Sequence, residues 1–215
     1  THEKLLELEN SEDLKQIEED WNFIIQKIKD GKAHEISEAD TMYLGACTKG
    51  ANSKSIRKQP FSDIPAKQRA FCLKTSYMTQ LVRDYIMKEN LERVCPKINQ
   101  NISFTSYLEK KLDSFKGMST AKLATMFDVN SKSKNLNEML VTRMLGIKGK
   151  MSNTEEFVKA NIVPKTIRIT SDGRIIESMS FPSFKYTEIV NQEWEESDLY
   201  EMFSTTKFMF AVFRE

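Results

Sequence analysis

The stretch Leu44-Gly45-Ala46-Cys47-Thr48-Lys49-Gly50-Ala51-Asn52-Ser53-Lys54, answered by Ala66-Lys67-Gln68-Arg69-Ala70-Phe71-Cys72-Leu73-Lys74, decides how the chain is read. Residues 41–47 are apolar and end on a small-residue run that suits a short strand. Residues 66–73 read as a second strand able to pair with it. Between them, residues 48–58 are polar and basic and read as a loop. Lys49, Lys54, Arg57, Lys58, Lys67, Arg69 and Lys74 cluster in or beside that loop, with Thr48, Asn52, Ser53, Ser55 and Gln59 as hydrogen-bonding groups. Lys and Arg suit phosphates and guanine edges, Asn and Gln suit adenine, and Gly50 lets the backbone come close to a partner. The same composition also describes an exposed loop with solubilising lysines, and composition alone does not choose between the two.

The charge distribution favours a polyanionic partner in the middle of the chain. The formal net charge is only +1, but residues 1–47 hold 5 basic and 12 acidic side chains, and residues 48–99 hold 11 and 4. Residues 100–165 hold 11 and 6, and residues 166–215 hold 5 and 9, so the balance runs −7, +7, +5, −4. A basic centre of this size fits a polyanion such as a nucleic acid, and equally a solvated Lys-rich surface.

Outward from this stretch, residues 11–30 read as a helix, capped by Ser11, with Leu14, Ile17, Trp21, Ile24, Ile25 and Ile28 on its inner side and the acidic residues 18–20 on its solvated side. Gly31 stops it. Residues 75–89 form a helix with Tyr77, Leu81, Val82, Tyr85 and Ile86 inward. Pro96 and the polar Asn99-Gln100-Asn101 mark a boundary, giving units 1–98 and 99–215. Helices are expected over 104–116, from a Ser119 cap to Phe127, and over about 134–146. Val163–Thr170 reads as a strand, turned by Ser171-Asp172-Gly173-Arg174 into a hairpin partner over 175–181. Residues 184–196 look helical and 208–213 look like a buried strand.

Several chemistries are excluded. Three scattered cysteines form no CxxC pair, and with only His2 and His34 as imidazoles a His-based metal site, a Ser-His-Asp triad or a Cys-His pair is not expected. Gly45 and Gly50 have Walker spacing, but Ala51-Asn52 stands where Lys-Ser/Thr is required, so no nucleotide is expected. No run of 18 apolar residues is present, and a reducing, cytoplasmic setting is expected. Mg²⁺-dependent nucleases gather an acid and an Asp/Glu-x-Lys on paired strands. Asp13-Leu14-Lys15, Glu109-Lys110-Lys111 and Asp30-Gly31-Lys32 have the spacing but lie in helical contexts or at a helix end.

The stretches 44–54 and 66–74 resemble the recognition half of MutH-like, GATC-specific endonucleases, more closely the restriction-enzyme branch. The resemblance implies a mixed α/β (α+β) fold of two restriction-endonuclease-like units, each a small mixed sheet flanked by helices. It implies that Lys49 reads the site, that Asn52 and Lys54 match the loop pattern, and that Thr48, Arg57, Arg69 and Lys74 contact double-stranded DNA. Phe71-x-Leu73-Lys74 matches the next block, with Cys72 where the mismatch-repair nicking enzyme has a methylation-sensing Tyr. Residues 99–215 resemble the opening of a second, degenerate domain of the same enzymes. There the metal-binding acid has become Val163, Lys165 is kept and the upstream position is Glu156, so no catalytic or metal-binding residue is assigned. The resemblance puts the first unit's own catalytic strands before Thr1. Mg²⁺ is expected in an intact parent and not on this chain, with a second DNA site or self-association as further expectations. The alternatives are a non-catalytic effector module and a Lys-rich protein-interaction domain.

Overall fold

The computed structural model describes residues 12–50, 55–84, 91–95 and 102–214. The chain is a mixed α and β protein in which small two-stranded ladders are flanked by helices. It divides into two compact units. The first draws its described residues from Thr1–Glu89, Lys159–Asn161 and Phe184–Lys207; the second draws them from Asn90–Val158, Ile162–Ser183 and Phe208–Glu215. The sequence suggests one break near residue 98, whereas the units interleave. The Asn161 amide donates to Thr205 O and Thr206 Oγ1 at 3.1 Å, and Lys207 N donates to Asn161 O, which keeps these remote segments with the first unit.

In the first unit, α1 (Glu12–Lys29) ends as its sequence suggests. Gly31 takes φ +74, its N–H bonds Ile28 O, and Lys32 N–H bonds Lys27 O, which satisfies the last carbonyls in a Schellman arrangement. A side chain at Gly31 would also meet Phe61 O at 2.6 Å, so the helix end doubles as a seat for the hairpin described below. Ile24 is buried with Ala33, Ile36, Ala46 and Ala66, and Ile28 packs against them. Trp21, expected inward, is 43% exposed. Asp20, expected in solvent, is buried; the cap expected from Ser11 lies outside the described residues.

Strand β1 (Leu44–Thr48) pairs antiparallel with β4 (Arg69–Leu73), from Leu44 opposite Leu73 to Thr48 opposite Arg69. This is the expected partnership. Between them lies an unexpected second ladder, β2 (Ile56–Gln59) with β3 (Ser62–Lys67), closed by a turn at Pro60-Phe61. The Gln59 side chain pins this hairpin by accepting from Ala33 N at 3.0 Å and donating to Ile64 O at 2.5 Å. Helix α2 (Thr75–Val82) follows β4 and buries Tyr77 and Leu81, while Val82 is exposed. Tyr77 stacks on Tyr43 with ring centroids 4.8 Å apart, and its hydroxyl donates to Asp13. Tyr85 and Ile86 lie outside the described residues.

The second unit contains α3 (Phe104–Asp113), α4 (Thr120–Met126), α5 (Leu136–Met144) and α6 (Glu155–Lys159). Lys159, the last residue of α6, belongs to the first unit. Ser103 and Ser119 cap α3 and α4 by accepting from Ser106 N and Lys122 N. Tyr107, Leu108, Leu123, Leu140, Ile147 and Phe157 form the buried centre. Strand β5 (Ile162–Ile169) pairs with β6 (Lys207–Arg214). The expected hairpin after Arg174 shrinks to one bridge, Ile169 with Ile175, because the chain leaves the ladder at once. Back in the first unit, α7 (Tyr186–Ile189) covers only a turn of the helix expected over 184–196. Helix α8 (Asp198–Thr205) starts instead at a Ser197 cap that accepts from Tyr200 N.

Candidate nucleic-acid interface

The far end of β1 carries the exposed chemistry of the first unit. Thr48, Lys49 and Gly50 are exposed there. Lys49 N donates to Gln68 O at 2.7 Å and Gln68 N donates to Ser55 O at 3.1 Å, so Lys49 and Ser55 are both tied to one residue. Gly50 has φ +133, and a Cβ on it would lie 2.3 Å from the Ser55 side chain. Only glycine fits this close approach. The neck therefore brings Gly50 and Ser55 together, with Lys49 and Ser55 both bonded to Gln68; residues 51–54, Asn52 and Lys54 among them, lie outside the described residues. Arg57 is exposed on β2, and its Nε and Nη2 donate to Gln68 Oε1 at 3.2 and 3.1 Å.

The near end of β1 is held by buried polar groups. The Asp20 carboxylate accepts from Met42, Tyr43 and Leu44 N at 2.9, 2.6 and 2.9 Å. Asp20 stands three residues after Ile17 and four before Ile24, on the stripe that faces inward. That spacing is the signal that could have placed it inside. Lys74 is 4% exposed and donates to Thr41 O at 2.5 Å. Burial, and then Lys207, bring its pKa down to about 8, with Asp20 partly opposing. Lys207 reaches Asp40 O at 3.0 Å, and burial lowers its pKa as well. The Arg69 guanidinium donates to Ala46 O at 2.5 Å and to Ile36 O, and burial lowers its pKa.

Of the cations expected to contact DNA, Arg69 and Lys74 are thus engaged by the chain's own carbonyls. They brace β1 and β4 from within, while Thr48, Lys49 and Arg57 share the exposed end. Cys72 is half-buried beside Cys47; burial and the Cys47 thiol push its pKa up to about 11, so it sits as a neutral small side chain.

In the second unit, Glu156 is buried and accepts from Val94 N at 3.0 Å and Cys95 N at 2.9 Å. Val163 and Lys165 are half-buried on β5. Lys165 lines a cleft of about 1100 Å³ together with Ser131, Ser133, Lys134 and Arg168. Arg168 is paired with Glu177. Among the described residues no three His, Cys, Asp or Glu side chains come together to hold a metal ion. An apolar Val163 and a Glu156 carboxylate already bonded to the backbone do not fit a two-carboxylate Mg²⁺ site. No helix among the described residues is long and apolar enough to cross a membrane.

Over 221 aligned positions the chain is 39% identical to the type II restriction enzyme Sau3AI of Staphylococcus aureus, covering 96% of this chain and 45% of the relative. The chain thus spans less than half the length of that protein. No protein-family profile matches. The similarity supports a relationship to restriction endonucleases.

Proposed function

We propose that this chain is the DNA-recognition part of a GATC-specific, MutH-like type II restriction endonuclease. The observation that carries the reading is the tied neck at Lys49, Gly50 and Ser55, which sets Thr48, Lys49 and Arg57 on one exposed end of a braced ladder. An exposed basic end of this kind suits a major groove, where base edges are distinguishable. Lys49 contacts the bases or the adjoining phosphates, and Arg57 adds positive charge beside it.

In an enzyme of the relative's length, Mg²⁺ would support phosphodiester hydrolysis at the recognised site. The donor set described above does not fit that ion, so no hydrolytic step is assigned to these residues. The cleft of the second unit, with Lys134 and Lys165 along it beside the Arg168–Glu177 pair and Glu138, favours a second reading of that unit as a non-catalytic DNA contact of effector type.

Binding of the whole chain to a GATC duplex and to a scrambled duplex tests the proposal. Lys49→Ala should cut the preference for GATC by roughly ten- to a hundredfold, the range for losing a base contact. Equal loss on both duplexes would make Lys49 a phosphate contact. Affinity should also fall steeply with added salt, whereas a flat salt response would favour a protein-interaction surface over DNA.

A further inference from the structure

One cation at the exposed end has its direction set by a neutral side chain. Arg57 Nε and Nη2 both donate to Gln68 Oε1. Gln68 is itself immobilised, since its carbonyl accepts from Lys49 N and its N–H donates to Ser55 O. The guanidinium is therefore fastened to the same backbone groups that close the neck.

A guanidinium has five N–H donors in a rigid plane. Gln68 takes one from Nε and one from Nη2. Both hydrogens of Nη1 and one of Nη2 remain, so the terminal edge still offers two parallel donors. That edge matches two acceptors side by side, as guanine N7 and O6 stand in the major groove. A pair of phosphate oxygens would also match, but a phosphate is served by a point charge, as lysine supplies, and gains little from a preset direction. An amide partner, unlike a carboxylate, leaves the cation's charge uncompensated while removing its rotamer freedom before binding.

We propose that Arg57, aimed by Gln68, reads a guanine edge in the major groove, with Gln68 as its positioning residue. This assignment rests on the recognition reading above and changes Arg57 from a holder of charge into a determinant of specificity.

The test uses the full chain and three duplexes: one with GATC, one with both GATC guanines replaced by 7-deazaguanine, and one scrambled. Deazaguanine keeps the base pair and O6 but lacks the N7 acceptor. The unaltered chain should bind the deaza duplex about tenfold more weakly than GATC, as loss of a charged hydrogen bond requires. Arg57→Ala should bring the GATC-to-deaza ratio to near one, and Arg57→Lys should not restore it. Gln68→Ala should lower the ratio, while Gln68→Glu, which keeps an acceptor at the same place, should preserve it even if overall affinity drops.

An Arg57→Ala chain that loses affinity for both duplexes with the ratio intact overturns the assignment and makes Arg57 a phosphate contact. So does a parent chain that prefers GATC to scrambled DNA yet ignores the deaza change. A parent chain that binds GATC and scrambled duplexes alike sinks the recognition reading itself, and this assignment falls with it. A ratio unchanged in Gln68→Ala removes Gln68 from the proposal.

Discussion

Strands β1 and β5 are where the sequence concentrates its chemistry, and they share one device while exposing different groups. Along β1 the polar groups are sorted. Asp20, Arg69 and Lys74 are taken up by backbone partners near the strand, while Thr48, Lys49 and Arg57 are left exposed at its far end. Around β5 a carboxylate is taken up in the same way, but the strand itself leaves different groups. The upstream carboxylate, Glu156, is committed to Val94 and Cys95, Val163 offers no ligand, and Lys165 stays beside a cleft. Each unit thus buries one carboxylate as a clasp for consecutive backbone N–H groups. What differs is the remainder, an exposed basic end in the first unit and, in the second, a cleft lined in part by Lys134, Lys165 and Arg168.

The comparison breaks most visibly if Asp20 is not a clasp. Asp20→Ala would strand three backbone donors, two of them in buried residues, and should cost about 3–5 kcal/mol in urea denaturation. A loss no larger than that of a neighbouring exposed acid such as Glu19→Ala would refute the role.

Lys74 gives the next largest effect, and its sign is distinctive. Its pKa is about 8 in the folded chain against an ordinary 10.5. Between those values the unfolded chain holds a proton that the folded chain has released. The lysine's contribution therefore becomes more favourable as pH rises through that window, by up to about 3 kcal/mol, and its handicap is complete below pH 8. Denaturation of Lys74→Met and the parent at pH 7.5 and 9.5 should show the parent gaining relative to the variant. Parallel behaviour of the two would show Lys74 to be solvated.

Glu156→Ala should cost less than Asp20→Ala, about 2 kcal/mol, since two donors are stranded and not three. The smallest effect is a predicted null. Val163→Glu restores a carboxylate on β5 but leaves Glu156 engaged, so incubation with Mg²⁺ and GATC DNA should produce no chelator-sensitive cleavage. Cleavage by that variant would show that the second unit lacks only one ligand.

Much of this arrangement could be read before the structure, and the exceptions have physical causes. The β1–β4 pairing and α3 to α5 were legible because apolar periodicity coincides with serine caps or glycine stops. The β2–β3 hairpin was not, since Ile56-Arg57-Lys58-Gln59 is polar and Pro65 interrupts Ser62–Lys67, which reads as loop. Its stability comes from a tertiary pin at Gln59 that no local pattern announces. Helix α8 had a visible signal, Ser197 followed by Asp198 and Glu201, but the apolar spacing over 184–196 drew attention upstream. Charge counting found the basic end of the ladder, yet it could not separate Lys49 from Lys74. Both are lysines beside strands, and only burial distinguishes the exposed one from the internal brace.

The interleaving of the two units bears on how such a protein can be taken apart or rebuilt. A fragment ending after residue 98 would lose Lys159 from Asp13, Ser204 O from Ser37 and Lys207 from Asp40 O. Transplanting the first unit into another scaffold therefore calls for three spliced pieces of chain.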